Sequence, residues 1–173
     1  NTSALAFGGY IPPTFYANTE SYNGSAWTEV NDLNSARRGL AGIGTATSAL
    51  GVGGNPTPSG TPVVSSNESW NGTNWTEVAD LNTARTTSGG AGVDNTSGLV
   101  FGGAPYSGVT ESWNGSSWTE VGDLNTARGL LGSSGIQTSA LAFGGYPPAL
   151  AVTESWNGSS WTEVADLNTA RYI

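Results

Sequence analysis

A unit of about 43 residues is written four times in this chain, and this repetition limits the folds that are open to it. The last two copies of its core segment, residues 109–128 and 152–171, differ only at Gly122 against Ala165. The same segment occurs at 68–85 and, with more changes, at 20–37. Repeats of this length that share one hydrophobic pattern indicate a solenoid, a propeller or an array, in which each unit buries its apolar face against its neighbours.

Four strand signals recur in each unit, and no segment has the apolar spacing of a helix. In the last copy they are residues 129–136, 138–143, 152–156 and 161–164. The first is rich in small residues, which suits an innermost strand crowded near an axis. Asn157-Gly158 separates the last two strands and predicts a tight hairpin turn, since both residues tolerate a positive φ. Four-stranded units at this spacing predict the blades of a β-propeller.

One stretch of each unit varies in length while the rest of the unit is constant. The last Trp and the Arg that follows it are ten residues apart in every copy. By contrast, the stretches 10–19, 55–67, 104–110 and 146–153 hold 10, 13, 7 and 8 residues. A rigid frame that carries one variable loop per unit is typical of a binding surface. Drift in unconstrained loops is the alternative.

Aromatic residues in these loops are the candidate ligand-binding residues: Tyr10, Phe15, Tyr16, Tyr106 and Tyr146. Tyrosine offers an apolar face with a polar tip, which suits carbohydrate or protein surfaces. The neighbouring prolines stiffen the loops and reduce the entropy lost on binding. The alternative is that these residues cover the blade edges or contact another part of a longer chain. Since the chain opens in the middle of a repeat, we expect it to be a fragment, a processed product or the ordered part of a longer protein.

The charge pattern excludes one class of partner. Each unit carries three acids and one arginine, and the chain has a net charge of −8. A uniformly acidic surface repels phosphate backbones, so we expect no nucleic-acid partner. No apolar run is long enough to span a bilayer, so we expect no membrane insertion either.

Composition also bears on chemistry. Cys, His, Met and Lys are absent, and no Asp-x-Asp-x-Asp-Gly calcium loop occurs. Near-identical repeats do not offer the unique, asymmetric set of groups that catalysis needs. We therefore expect no catalytic residue, no metal and no cofactor, and hydrolysis by carboxylates alone is the enzymatic alternative.

Two sets of side chains recur at fixed positions and are expected to be structural. The arginines can pair with acids of their own or a neighbouring unit, or can form an anion site near an axis. The tryptophans can pack between units or, if exposed, stack on sugars. The two sets are Arg37, Arg85, Arg128 and Arg171, and Trp27, Trp75, Trp118 and Trp161. Arg38 has no counterpart in the other copies and is expected to be a free surface charge.

Several of these features together resemble kelch repeats. They are paired glycines that end the second strand, an aromatic residue in the third, a Trp about a dozen residues after the glycines, and an Ala-Arg that opens the next unit. The segments Glu-Ser-Trp-Asn-Gly-Ser-Ser-Trp-Thr-Glu-Val and Asp-Leu-Asn-Thr-Ala-Arg further resemble repeat proteins encoded by marine bacteriophages. The resemblance implies one all-β propeller domain over residues 1–173, with repeats at approximately 2–46, 47–95, 96–137 and 138–173.

The order of the strands predicts how the ring closes. The chain opens on a second strand (Thr2–Phe7) and ends on a first strand (Ala170–Ile173). Pairing of these N- and C-terminal strands in one shared blade would close a ring of four blades. A truncated part of a larger array is the alternative, because kelch propellers usually have six or seven blades.

The phage resemblance implies a setting in the virion or outside the cell. We expect a non-enzymatic binding module of a tail or fibre, an adhesin that recognises a host-surface glycan or protein through the variable loops. The alternatives are a structural or decoration protein that contacts other virion proteins, and a kelch-type scaffold for protein–protein interaction. Blades this similar can also exchange between chains, which predicts homo-oligomers as a further possibility.

Overall fold

The computed structural model describes residues 2–59 and 61–173, and all regular structure in these ranges is β-strand. The strands are β1 (Ala4–Ile11), β2 (Thr14–Tyr22), β3 (Trp27–Val30), β4 (Ala41–Thr45), β5 (Ser48–Val52), β6 (Asn67–Trp70), β7 (Trp75–Val78), β8 (Gly89–Asp94), β9 (Ser97–Phe101), β10 (Thr110–Trp113), β11 (Trp118–Glu120), β12 (Gly132–Ile136), β13 (Ser139–Phe143), β14 (Thr153–Trp156) and β15 (Trp161–Val164). In the part of the chain that the structure describes, no helix could cross a membrane.

The strands form four separate antiparallel sheets in chain order. The first sheet is β1-β2-β3, and the other three are the four-stranded meanders β4–β7, β8–β11 and β12–β15. The all-β class and the four-stranded unit predicted from the sequence are confirmed for the second, third and fourth sheets. The first strand of each unit starts later than predicted. In the fourth sheet β12 begins at Gly132 rather than Gly129, because Gly129 forms an isolated bridge with Tyr146 instead.

The hairpin predicted at the Asn-Gly pair of the fourth sheet is confirmed. Trp156 pairs directly with Trp161, so the connection spans residues 157–160. Of the two residues that tolerate a positive φ, only Gly158 takes one, of 96°. Asn157 instead uses its side chain, whose Oδ1 accepts hydrogen bonds from the backbone N–H groups of Ser159 and Ser160 at 2.9 and 3.0 Å. The asparagine therefore stabilises the turn through its side chain and the glycine through its backbone.

The first strands of the four-stranded sheets lie side by side at one edge of the assembly. β4 contacts β8, and β8 contacts β12. Their small residues have a steric cause, since the Ile43 side chain fills the space over β8. A Cβ atom added at Gly92 would stand 2.5 Å from Cγ2 of Ile43. The sequence-based placement of a small-residue strand at a crowded inner position is consistent with this packing.

The hydrophobic core consists of three layers, each between two successive sheets. The layer between the first and second sheets contains Leu33, Ala49, Trp70 and Trp75. The next contains Ile43, Leu50, Leu81, Val100, Trp113 and Trp118. The last contains Leu99, Phe101, Leu124, Leu131, Trp156 and Trp161. Each sheet is thus stabilised mainly by its neighbours, as expected for a repeat protein.

The Gly-Gly pair and the arginine are held together by backbone hydrogen bonds, which explains their constant spacing. The second glycine of each pair donates its N–H to the carbonyl of the arginine that ends the same sheet, as in Gly103 to Arg128 at 2.9 Å. The first glycine has a positive φ, 65° at Gly102, where a Cβ atom would lie 2.5 Å from the carbonyl oxygen of Arg128. A side chain at the first glycine would conflict both with its positive φ and with the short distance to this carbonyl oxygen.

The predicted closure by paired terminal strands is not present in this structure. Residues 170–173 form no strand, and β1 pairs only with β2 among the described residues. The N–H of Ile173 instead donates to the carbonyl of Leu130 at 3.1 Å, just as Leu130 donates to Thr87 at 2.9 Å. Ile173 therefore occupies the connection that precedes β8 and β12 in the earlier repeats, and not the strand itself. The first sheet keeps three strands for this reason.

The first variable stretch also differs from its prediction as a loop. β1 continues to Ile11 and β2 begins at Thr14, so residues 10–19 belong to a long β-hairpin with Pro12 and Pro13 at its turn. Tyr10 pairs with Phe15 across this hairpin. The proline pair is compatible with the arrangement because it lies at the turn, where no ladder hydrogen bond is required.

Candidate functional site

The loop aromatics of the first repeat form a cluster with an arginine, here called the Tyr10 cluster (Tyr10, Phe15 and Arg38). The Tyr10 and Phe15 rings are tilted, with centroids 4.5 Å apart. The guanidinium of Arg38 lies over the Tyr10 ring at 4.6 Å and approaches the Phe15 ring at 5.8 Å. The prediction of Arg38 as a free surface charge was wrong, because a cation placed over an aromatic face is attracted to it.

Tyr16 shares an open cavity of about 480 Å³ on the first sheet with Tyr10. Asn18, Glu20 and Glu29 also line this cavity. Asn18 Nδ2 donates to Glu29 Oε1 at 2.8 Å across this surface. Among the described residues Tyr16 makes no aromatic contact with Tyr106 or Tyr146, whose rings contact each other instead.

The loop aromatics of the third and fourth repeats form a second group, here called the tyrosine row (Tyr106, Tyr146 and Tyr172). The ring centroids of Tyr106 and Tyr146 are 5.5 Å apart, and those of Tyr146 and Tyr172 are 5.2 Å apart. The three side chains are 46%, 36% and 54% exposed. Sequence reasoning missed Tyr172 because that residue was assigned to a pairing strand. No local signal marks it, because its position directly after the repeat arginine, like that of Arg38, approaches a loop only in the folded chain.

A backbone bridge between successive repeats brings these loops to one side of the molecule. The residue after each repeat arginine pairs in both directions with the residue after the next Gly-Gly pair. The three bridges are Arg38–Asn55, Thr86–Ala104 and Gly129–Tyr146, with N···O distances of 2.8–3.1 Å. Because this bridge recurs, the variable loops of different repeats lie at equivalent places, and rings from successive repeats can come into contact.

The repeat arginines pair with an acid of the next sheet, in an arrangement here called the Glu clamp. At the junction of the second and third sheets, Arg85 Nη2 lies 2.5 Å from Glu111 Oε1. Asn82 donates to Glu111 Oε2 through its backbone N–H at 2.8 Å and through Nδ2 at 2.9 Å. Thr83 N–H donates to Oε1 at 3.1 Å. One carboxylate therefore receives four donors from the preceding repeat.

The same clamp occurs at the other two junctions. Arg128 pairs with Glu154, which also accepts from Asn125 and Thr126. Arg37 Nη2 lies 3.0 Å from Glu68 Oε1, and Asn34 donates twice to Oε2 of the same glutamate. These arginines and glutamates are at most 2% exposed. Of the two readings of the arginines, the structure therefore shows pairing with acids of a neighbouring unit at three positions.

The clamp also shifts the acid–base properties of its members. Burial opposes ionisation of Glu154, but hydrogen bonds from Arg128 and Asn125 outweigh it and lower the pKa of Glu154 below its usual range. Burial lowers the pKa of Arg37 and Arg85, and the facing carboxylates act in the opposite direction. Arginine nevertheless stays charged in proteins. The charges of the clamp are compensated inside the fold, so they offer no site for an external anion.

The tryptophans with the fixed spacing seal the same junctions. Trp75, Trp118 and Trp161 are 5–6% exposed. Phe7 meets the Trp75 ring edge to face with centroids 4.8 Å apart, and the indole Nε1 of Trp75 donates to Thr19 Oγ1 at 2.9 Å. At these three positions the packing interpretation therefore describes the structure, and sugar stacking does not.

Two members of the repeated sets depart from this pattern. Trp27 is 49% exposed, and Arg171 is exposed and makes no ion pair with any residue that the structure describes. The Nε of Arg171 donates only to the carbonyl of its neighbour Thr169, at 3.2 Å. The sequence predicted a structural role for both residues, but each lies on a sheet face that no other described sheet covers.

Metal-binding groups and comparisons with known proteins also bear on function. Over residues 2–59 and 61–173, no group of three or more His, Cys, Asp or Glu side chains is arranged to hold a metal ion. A scan against models of known protein families finds no match, and a search of curated proteins finds no significant relative. The tyrosine row, the Tyr10 cluster and the two uncovered sheet faces are therefore the candidate functional surfaces of the described residues.

Proposed function

We propose that this chain is a non-enzymatic binding module, a kelch-like β-propeller of a phage tail or fibre that attaches to a glycan on the host surface. The observation that carries the proposal is the tyrosine row, in which exposed rings from the variable loops of two repeats and from Tyr172 stand in contact. The spacing of its rings and the net charge of the chain indicate which class of glycan such a row can bind.

The geometry of the row suits an oligosaccharide. Sugar rings have one face made largely of C–H groups, and such a face packs on an aromatic ring while the phenolic hydroxyl reaches the sugar hydroxyls. The centroid separations of 5.5 and 5.2 Å allow neighbouring tyrosines to contact successive sugar units. Tyrosine also has few rotatable bonds, so little entropy is lost when a ligand orders it.

The net charge narrows the class of glycan. The chain carries −8 at neutral pH, and the described tyrosine row contains no cation among its own members. A negative surface repels carboxylated and sulfated sugars at moderate ionic strength. We therefore propose a neutral glycan as the ligand of the row.

The Tyr10 cluster offers a second, different site on the same side of the repeats. Its Arg38 supplies a positively charged guanidinium over the two rings, which the tyrosine row does not have among its own members. Two weak sites on one rigid frame raise the overall affinity without any new contact, provided that the ligand can reach both. Attachment through several weak contacts is the behaviour we expect of a surface adhesin.

Propeller architecture is supported by three features of the frame. The sheets are antiparallel meanders, successive sheets pack through layers of Trp, Leu and Phe, and the first strands of the four-stranded sheets stand next to one another. These are the relations between neighbouring blades in a propeller. The Gly-Gly pair and the repeat arginine, which carry the likeness to kelch repeats, are joined in every repeat.

A glycan array tests the binding function directly. Wild-type protein would be compared with a triple variant, Tyr106→Ala, Tyr146→Ala and Tyr172→Ala, and with the matched triple change to phenylalanine. We expect neutral glycans to bind the wild type, the alanine variant to lose them, and the phenylalanine variant to keep most of the signal because the stacking faces remain. A parallel variant with Tyr10, Phe15 and Tyr16 changed to alanine measures the contribution of the first repeat.

Circular dichroism of each variant checks that the fold is intact, which we expect because the three tyrosines are exposed. A folded wild type that binds no glycan, or an alanine variant that binds as well as the wild type, would contradict the proposal. In that case the second candidate is a structural or decoration protein of the virion. The uncovered faces around Trp27 and Arg171 are the observation that favours this alternative.

A further inference from the structure

One set of interactions recurs between successive sheets, here called the junction contacts; at the middle junction Trp118 Nε1 has no hydrogen-bond partner among the described residues. The preceding repeat contributes four groups, and the next repeat contributes a glutamate and a tryptophan. An arginine and an asparagine bind the glutamate. A threonine hydroxyl, or the side chain at its position, lies at the tryptophan N–H, and an apolar residue packs against the tryptophan ring. At the junction of the third and fourth sheets these residues are Arg128, Asn125, Thr110 and Phe101 on one side and Glu154 and Trp161 on the other. Trp161 Nε1 donates to Thr110 Oγ1 at 3.0 Å, and the Phe101 and Trp161 rings meet edge to face at 4.7 Å.

The fourth sheet carries the first half of this set without a partner, here called the trailing face (Phe143, Thr153, Asn168 and Arg171). Asn168 and Arg171 are exposed. Thr153 is 7% exposed, and its Oγ1 has no hydrogen-bond partner among the described residues, although the equivalent hydroxyl of Thr110 accepts from a tryptophan. Most buried hydroxyls have a hydrogen-bond partner, so this one calls for an explanation.

The first sheet carries the second half of the set, here called the leading face (Glu20 and Trp27). Glu20 stands where the other repeats have the clamped glutamates, and it pairs with Glu29 across the strands as Glu154 does with Glu163. Glu20 is exposed and receives no hydrogen bond or ion pair from the described residues. Trp27 is 49% exposed, whereas its three equivalents are 5–6% exposed.

We propose that the trailing face of one copy of this chain docks on the leading face of a second copy and repeats the junction contacts. Arg171 and Asn168 would then clamp Glu20 of the second copy. Trp27 of that copy would donate to the unpartnered Thr153 hydroxyl and pack against Phe143. Each unpartnered group on one face has its counterpart on the other, and the charges of Arg171 and Glu20 are complementary.

We take a second copy as the partner, because the face that matches the trailing face is present on this same chain. No hydrogen bond, ion pair or aromatic contact between described residues joins the fourth sheet to the first. Two different faces that bind each other make a heterologous interface. Such an interface closes into a ring when the rotation per copy allows it and extends as a filament when it does not.

This docking would also extend the aromatic surface. The bridge that joins Gly129 to Tyr146 inside the chain has its counterpart in Tyr172 of one copy and Tyr10 of the next. The tyrosine row of one copy would then continue into the Tyr10 cluster of its neighbour. The docking itself does not depend on glycan binding, since none of its four main contacts involves these rings.

The test is the mass in solution, measured by size-exclusion chromatography with light scattering over a range of concentrations. For the 17.6-kDa wild-type chain we expect masses above the monomer that rise with concentration. Glu20→Arg and Arg171→Ala should each weaken the association by about 30-fold or more. Arg171→Ala would leave Glu20 buried without its counter-charge, and Glu20→Arg would place two arginines against each other. Both residues are exposed within the single chain, so both variants are expected to fold.

Two controls separate this contact from a general effect of charge. Glu163→Arg makes the same change of charge at another exposed residue. Glu163 lies beside Glu154 on the side of the fourth sheet that is turned toward the third sheet, and therefore outside both proposed docking faces, so this variant should associate like the wild type. Arg38→Ala removes an arginine that belongs to neither face and should behave in the same way. Equal weakening by these controls would overturn the proposal.

Mixing the two variants tests the head-to-tail direction. Glu20→Arg retains its trailing face and Arg171→Ala retains its leading face, so together they should form a 1:1 complex of twice the monomer mass that grows no further. The fluorescence of Trp27 in the Arg171→Ala partner should become less accessible to iodide at the same time. A wild type that stays monomeric at all concentrations, or a mixture that forms no complex, overturns the proposal.

Discussion

Replacing Glu111 by alanine should destabilise the fold by about 3 kcal/mol, because the change leaves Arg85 buried without its counter-charge. Glu111 is 0% exposed and receives four donors: the backbone N–H and Nδ2 of Asn82, the backbone N–H of Thr83, and Nη2 of Arg85. Removing one partner of a buried ion pair costs about 3–5 kcal/mol. The lower end applies here, since Arg85 also donates to the carbonyl of Val109 at 2.6 Å and keeps part of its solvation.

The chain contains its own control for this experiment. Glu20 occupies the same position in the first sheet, but it is exposed and unclamped among the described residues. Glu20→Ala should therefore change the free energy of unfolding by less than about 0.5 kcal/mol, the usual range for surface substitutions. The comparison is made at a protein concentration low enough for both variants to be monomeric, so that association does not contribute to stability.

Urea unfolding followed by tryptophan fluorescence and by circular dichroism measures both effects. With a denaturant slope of about 2 kcal/mol/M, the Glu111→Ala midpoint should fall by about 1.5 M. Two probes are needed because repeat proteins can unfold in more than one step. The reasoning fails if the Glu111→Ala midpoint moves by less than about 0.3 M, or if Glu20→Ala moves it equally.

Two further predictions concern single groups at the junctions. Trp118 Nε1 and Asn67 Oδ1 are both buried without a hydrogen-bond partner among the described residues, whereas the equivalent Trp161 donates to the Thr110 hydroxyl. Asn67→Thr should supply that hydroxyl and stabilise the protein by about 1 kcal/mol. A lower urea midpoint for this variant would contradict the prediction. The pKa of Glu154 is lower in the folded chain than in the unfolded chain, where it is about 4.3. The ionised Glu154 therefore stabilises the fold fully above that unfolded pKa, and this stabilisation is lost as the pH falls through the lowered pKa of the folded state. Glu154→Gln should accordingly be less stable at pH 7 and should flatten the pH dependence of the urea midpoint in acid, and a curve parallel to that of the wild type would refute the assignment.

The local architecture was predictable because its signals are local. Alternation within short strands, Gly-Gly breaks and the Asn-Gly turn are read within a few residues, and the second, third and fourth sheets have the strand count that these signals predict. The hairpin at Asn157-Gly158 is where this signal predicts it, although asparagine satisfies the turn with its side chain and only the glycine takes a positive φ. The long β1–β2 hairpin was missed because its residues lie in a stretch whose variable length indicated a loop.

The pairing within the Glu clamp was beyond the reach of the sequence. Each unit offers three acids to its arginine, and repetition makes all of them equally regular along the chain. Arg85 selects Glu111, which is 26 residues away, because neighbouring sheets face each other in that register. That choice depends on tertiary packing, which a single repeated pattern does not contain.

The aromatic clusters were partly predictable for a related reason. The loop tyrosines could be proposed from their variable setting, but their partners Arg38 and Tyr172 could not. Both partners follow a repeat arginine, and only the backbone bridge between repeats brings that position next to a loop. Closure through the terminal strands was predicted from the order of the strands, and it is absent because Ile173 lies in a connection between sheets.

The three-layer core has a consequence for how a protein of this kind changes in size. Since the buried apolar surface lies between sheets, each junction is made of residues that recur in every unit. Removal or insertion of one whole unit would leave only junctions of a type that is already present, whereas a change of a few residues would disturb two of them. The number of sheets is therefore expected to vary in whole steps among proteins built from this unit, while the length of the constant part of each unit stays the same.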